Sequence, residues 1–172
     1  GFHFVSGHSD WEISANHYCV IVTDDLLQCV VYSASTTPAR LSGIEYIVSS
    51  AAFETFDYEE RQLWHSHAYE VTSGFLIQPG LPEAVDHVIM KDVLVGTYGK
   101  TFATWSYESQ NLSYPLGIPD LVVGYTGDSQ ITPNFVTQRD ELFGTNTTET
   151  KENREDIVAP PVIAGADSWK YG

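Results

Sequence analysis

The sequence predicts an α+β fold: one domain, mainly antiparallel β-sheet, with two helices at about 51–63 and 82–95. Three observations predict it. Runs of β-branched and aromatic residues recur at strand length through the first half, separated by breaks too short for parallel crossovers. Two later stretches change to apolar spacing of helical period. The length of 172 residues, with 42% hydrophobic and 13% aromatic, suits a single domain that buries a core without metal or disulfide staples.

The elements follow in order. Tyr18 to Val22, Leu27 to Tyr32 and Ile44 to Val48 read as strands, punctuated by Asp24-Asp25 and by a Ser/Thr/Pro stretch. Ser49 or Ser50 can cap a helix over 51–63, in which Phe53, Phe56 and Leu63 recur at roughly helical spacing. Val71 to Ile77 reads as a strand ending at the turn signal Pro79-Gly80. Pro82 opens the second helix, with Glu83 and Asp86 in its first turns, Val85, Val88, Ile89 and Val93 on its apolar side, and Gly96 at its end. His87 falls beside that stripe, at an exposed position. Lys100 to Trp105 and Leu121 to Tyr125 are further strands, joined through proline-broken text at 114–119. The domain is drawn as residues 1–144. The polar run from Thr145 and the extended Ala159-Pro160-Pro161 predict an arm or tail over 145–172.

Composition excludes several functions. A formal charge of −15 repels nucleic-acid phosphates and anionic lipid headgroups. No apolar run approaches the roughly 18 residues that span a bilayer, so no transmembrane segment is expected. The start, Gly1-Phe2-His3-Phe4-Val5, lacks the basic and apolar regions of a signal peptide; secretion would require that one had been removed. In that case Asn111 and Asn146, which head N-x-S/T triplets, are glycosylation candidates.

The chemistry concentrates in Trp64-His65-Ser66-His67-Ala68-Tyr69-Glu70. In an extended strand residues i and i+2 share a side, so His65 and His67 would aim two imidazoles at one point, half of a site for zinc, copper or iron. Glu70 is a natural third ligand, but its odd offset would need a bulge to bring it to the same face. The plainer reading is two hydrogen-bonded histidines in a polar cleft. His17 and His3 are the other candidate ligands. Cys19 and Cys29 flank a predicted turn and could form a disulfide, remain two buried thiols, or, for Cys19, join His17 as same-face ligands. Arg40 and Glu45 could form a partly buried ion pair. There is no phosphate loop, nucleophile elbow or CxxC motif.

Phe2-His3-Phe4, His17-Tyr18-Cys19, Gln28-Cys29, Ala39-Arg40-Leu41, Gly43-Ile44-Glu45-Tyr46-Ile47-Val48, Leu63-Trp64-His65-Ser66-His67, Glu70-Val71, Pro79-Gly80, Tyr98-Gly99-Lys100-Thr101 and Pro115-Leu116-Gly117 resemble, in order over residues 2–131, the blocks of the oil body-associated protein family. The resemblance implies a cytoplasmic or lipid-droplet-associated protein whose partner is a neutral-lipid surface or another protein; it implies no reaction. The family pattern carries a histidine near the place where this chain has Ala103, with His3, His8 and His17 as candidate replacements. His65-x-His67-x2-Glu70-x3-Gly74 also resembles, at shorter spacing, the first metal motif of cupins, which makes a cupin-like β-barrel the alternative fold. Two functions are thus expected: a binding or surface-association protein with a histidine-based metal site, or a metal-dependent oxidase or hydrolase using His65, His67 and Glu70.

Overall fold

A computed structural model describes residues 1–106 and 110–171. It is α+β, with one antiparallel sheet in the order β2-β1-β8-β7-β5-β4-β3. Its strands are β1 (Phe2–Val5), β2 (His8–Ser14), β3 (Asn16–Thr23), β4 (Leu26–Tyr32), β5 (Leu41–Val48), β6 (His65–Ser66), β7 (Tyr98–Ala103) and β8 (Asp120–Gly124). The two-residue β6 pairs with Tyr98 and Gly99 of β7, beyond the point where β8 pairs with Thr101 to Ala103. The three strands expected before residue 49 and the two expected after residue 99 are present.

Register decides which side chains meet. Cys19, Cys29, Glu45, Thr101 and Val122 lie in one row across β3, β4, β5, β7 and β8, and Gly124 faces His3 of β1. Strand alternation therefore puts His17, Glu45, Gly99, Gly124 and His3 on the same face. The two ends of that face approach because β2 passes into β3 through the single residue Ala15, whose N–H extends the β1–β2 ladder to Gly1 O at 3.0 Å; the His3 and His17 ring centroids are 5.3 Å apart. The sheet nevertheless remains open, with β2 and β3 as edges, so the cupin-like barrel is not the fold. The opposite face of β1 and β8 carries Phe2, Phe4, Val123 and Tyr125, packed against Phe75 and Ile131.

The helical layer departs from expectation in two elements, and in which side of the second helix is buried. The helix expected over 51–63 is two single turns, α1 (Ser50–Phe53) and α2 (Tyr58–Arg61). Thr55 Oγ1 donates back to Ala52 O at 2.7 Å, while the Arg61 guanidinium donates to Glu54 O and Phe56 O at 2.7 and 2.9 Å. A side chain thus takes the carbonyls that a continuous helix would have used. The strand expected from Val71 is instead α3 (Ala68–Thr72). Val71 is fully buried against Met90, Val95 and Ile157, and this packing overrides the β preference of a Val-Thr pair. The second helix is α4 (Glu83–Ile89), continued by a π-helical turn over Met90–Leu94. Its anchor is Met90, fully buried, whereas Val85, Val88 and Val93 of the expected stripe are about half exposed. His87 is paired with Asp156 at 3.1 Å, away from the other histidines.

The polar C-terminal text forms α6 (Thr147–Glu152), capped by Asn146 Oδ1, after α5 (Pro133–Phe143), and ends in the short strand β9 (Ala164–Asp167). Buried Arg154, just past α6, donates to Val71 O at 2.7 Å, Leu76 O at 2.9 Å and Asp86 Oδ2 at 2.7 Å. Arg139 of α5 donates to Phe75 O and Gly74 O. Two guanidinium groups therefore hold the chain leaving α3.

Candidate metal centre

The site lies between the sheet face and the β6–α3 segment laid across it. His3, His17 and Glu45 come from β1, β3 and β5; His65, His67 and Glu70 come from above. His65 occupies β6, and its ring lies over Gly99 and Gly124, where an added Cβ would come within 2.8 and 3.1 Å of it. Two glycines on neighbouring strands thereby open the floor that the imidazole fills.

His65 and His67 do converge, with ring centroids 5.2 Å apart, but not along one strand. The strand ends at Ser66, and His67 is the residue on which α3 begins. Glu70 then follows at i+3 on a helix, so one turn brings it to the side of His67 without a bulge. Asp167 fixes the turn between the two rings: its carboxylate accepts from Ser66 N–H at 2.8 Å and Ser66 Oγ–H at 2.7 Å, while its own N–H donates to Trp64 O.

Six donors result. Glu45 Oε2 is 2.5 Å from His17 Nε2, and Glu45 Oε1 is 3.3 and 3.4 Å from the Nε2 atoms of His67 and His65. Glu70 Oε1 is 3.2 Å from His3 Nε2, and Oε2 is 3.8 Å from His67 Nε2. All except partly covered His17 are buried. His67 Nε2 is within hydrogen-bond reach of Glu45, but His17 Nε2, both ring nitrogens of His65, His3 Nδ1 and Glu70 Oε1 are buried without a directed hydrogen bond among the described residues. Burying such groups unpaired is costly, and a cation among them would remove the cost.

The ionisation pattern suits a cation. Burial raises the Glu45 carboxyl, but His17, His65 and His67 outweigh it and hold it well below the usual carboxylate range. Burial likewise raises Glu70, and His3, His65 and His67 bring it down to about 2. Burial lowers His3 and keeps it neutral. For His65 burial pulls down, but the nearby Glu45 and Glu70 carboxylates outweigh it and raise it above the ordinary imidazole value. Ionised carboxylates and neutral imidazoles are the ligand forms a divalent transition metal takes.

A pocket of about 500 Å³ opens onto the cluster, reached by His3, His17, Glu45, His67 and Glu70 and walled largely by aliphatic side chains including Leu27, Ile47, Leu76, Ile89 and Leu94. Ala103 lies instead beside a separate small cavity that His3 also borders. His8 stacks on Trp11, outside the cluster. Cys19 and Cys29 are directly opposed on β3 and β4 and joined as a disulfide, with Cα atoms 4.0 Å apart. Asn111 is exposed, whereas the Asn146 side chain is used as the α6 cap.

The sequence reading missed Glu45 as a site residue by pairing it with Arg40. The Arg40 guanidinium lies over the Trp105 ring at 5.5 Å, and Glu45 faces the histidines. The signal was a carboxylate at an inward position of Gly-Ile-Glu-Tyr-Ile-Val, in the middle of a strand.

The family model described as a protein of unknown function (DUF1264) matches residues 1–158. The chain belongs to the DUF1264 family. This DUF1264 chain is similar to oil body-associated protein 2C of Arabidopsis thaliana, 40% identical over 161 residues, covering 92% of this chain and 67% of the relative. Oil body-associated protein 1B of Arabidopsis thaliana is 34% identical over 92% of the chain and 65% of its own length; protein 1A of Zea mays is 33% identical over 92% and 66%. The chain thus spans about two thirds of the length of these curated DUF1264 relatives. No solved structure matches it.

Proposed function

We propose that this protein is a metal-binding member of its family, in which His65, His67 and Glu70, with His3, His17 and Glu45, hold a divalent transition metal such as zinc, copper or iron. The observation that carries this reading is the convergence of four imidazoles and two carboxylates, of which His17 Nε2, both ring nitrogens of His65, His3 Nδ1 and Glu70 Oε1 are buried without a directed hydrogen bond among the described residues. Association with a lipid-droplet surface comes from the names of the relatives. With a charge of −15 and no helix long and apolar enough to cross a membrane, this reading requires neutral lipid or a protein receptor rather than anionic headgroups.

The pocket supports a second reading, a metal-dependent oxidase or hydrolase. Its aliphatic walls suit the apolar body of a small molecule, and the cluster at its inner end would meet that molecule's polar end. The bound metal would supply Lewis-acid or redox chemistry. The chain's own part is to hold the imidazoles by their backbone anchors and to keep bulk water from the apolar walls.

Metal analysis of the untagged chain, purified without chelator, tests the first reading. A stoichiometric first-row metal is expected, and the H65A/H67A double variant should lose at least one equivalent. Wild-type protein that takes up none, even when zinc, copper and iron are offered, overturns it.

A further inference from the structure

We propose that the cluster holds two divalent metal ions bridged by the Glu45 carboxylate. This rests on the reading that the cluster binds metal, and goes beyond it in number, ligand assignment and chemistry.

The two oxygens of Glu45 face different imidazoles: Oε2 meets His17, and Oε1 meets His65 and His67. Glu70 repeats the pattern, with Oε1 toward His3 and Oε2 toward His67. Neither carboxylate aims both oxygens at one point, as a bidentate ligand of a single ion would. The donors that converge within 4.8 Å of one another come in threes: His3 with His17 and Glu45, Glu45 with His65 and His67, and His3 with His65 and Glu70. A single six-coordinate ion with bonds of about 2.1 Å would keep all six donors within about 4.2 Å of each other, which would give one set of six rather than three of three.

The first two triads share only Glu45, one on each side of its carboxylate. The third takes a histidine from each, which puts the two centres side by side. Ions about 3.5–4 Å apart, the separation usual in two-metal sites, fit a carboxylate that offers one oxygen to each. Each ion would then have a short protein ligand set with open positions toward the pocket, the form of a reactive rather than a closed structural site. Two divalent ions bring four positive charges to two carboxylates, so the open positions suit hydroxide or the oxyanion group of a bound molecule.

The test strips the full chain with chelator, removes the chelator, saturates the protein with Zn²⁺ or Cu²⁺, and counts tightly bound ions per chain after desalting. Two are expected. The Cu²⁺ form should show the half-field paramagnetic resonance of a coupled pair. His17→Ala should lower the count from two to one while circular dichroism and the melting transition stay cooperative. Glu45→Gln should abolish the coupling. One ion per wild-type chain, or two with uncoupled spectra, overturns the bridged pair and leaves the metal-binding reading standing; no ion overturns both. Because the wild-type count and spectrum decide the matter, a variant that misfolds cannot obscure it.

Discussion

His67 Nδ1 lies 2.8 Å from Thr97 Oγ1, and that hydroxyl donates its own proton to Leu94 O at 2.7 Å. Thr97 can therefore only accept from His67, which places the Nδ1 proton and leaves Nε2 of the neutral ring with its lone pair. That lone pair faces Glu45 Oε1 at 3.3 Å, acceptor against acceptor, and only a proton or a metal ion between them makes the contact favourable. The hydroxyl, three residues past the π-helical turn, is thus part of the site although it meets only the ring nitrogen of His67 that faces away from Glu45.

Thr97→Val is expected to weaken metal affinity by roughly 10–100-fold, the usual effect of removing a partner that orients a ligand histidine. Thr97→Ser keeps the hydroxyl and should restore affinity. Competition against a chromogenic chelator measures both. Equal affinity for wild type and T97V would show that the hydroxyl does not set the His67 tautomer.

Gly99→Ala should damage the site without unfolding the sheet. An added Cβ would stand 2.2 Å from Glu45 Oε1 and 2.8 Å from the His65 ring, so the carboxylate and the imidazole must both move. Gly96→Ala, whose nearest neighbour would be Pro160 at 3.5 Å, is the control. Metal uptake should fall more than tenfold in G99A and stay near wild type in G96A, since misplaced ligands are costly for a metal site.

The metal-free protein should lose stability on both sides of neutrality. Glu70 is held at about 2, below the unfolded value of roughly 4.3, so its contribution is complete above that value and is lost as pH falls toward 2. His65 is shifted the other way. Its contribution is complete below about 6.5 and is lost as pH rises through its raised folded value. Urea midpoints between pH 3 and pH 9 should form a dome, and E70Q should flatten the acid limb. An E70Q acid limb as steep as that of wild type would assign acid sensitivity to other carboxylates.

Much of the fold was legible because strand text in this chain is locally consistent: Tyr18 to Val22 and Leu27 to Tyr32 are rich in β-branched and aromatic residues, and their short connection favours a hairpin. The site was legible in its residue types rather than in its assembly. His65 and His67 meet as their spacing implied, yet through a strand end and a helix start, because burial of Val71 against Met90 outweighs local preference. No spacing rule could bring His3 and His17 together. They sit on β1 and β3; β1 pairs with β2, and β2 passes into β3 through Ala15 alone, so their meeting follows from the β1–β2 register and that one-residue passage. Register is a property of the strand pairing, which no single motif encodes.

The polar text after residue 145 hides the residue whose loss should be felt most. Arg154 is 3% exposed and satisfies Val71 O, at the end of the helix that carries Glu70, together with Leu76 O and Asp86. Arg154→Met would leave two carbonyls without that donor and a carboxylate without its counter-charge, a loss of about 3–5 kcal/mol by the usual cost of breaking a buried pair. Arg154→Lys keeps the charge, but one ammonium lacks the planar fork that reaches three acceptors, so it should fall between the two. Urea denaturation gives the stability order. If R154M unfolds within about 1 kcal/mol of wild type, as surface pairs do, the clamp contributes little. Where R154K remains folded, its metal affinity should also fall, because the clamp grips the chain within a few residues of Glu70 and loosening it frees that carboxylate to drift from His3.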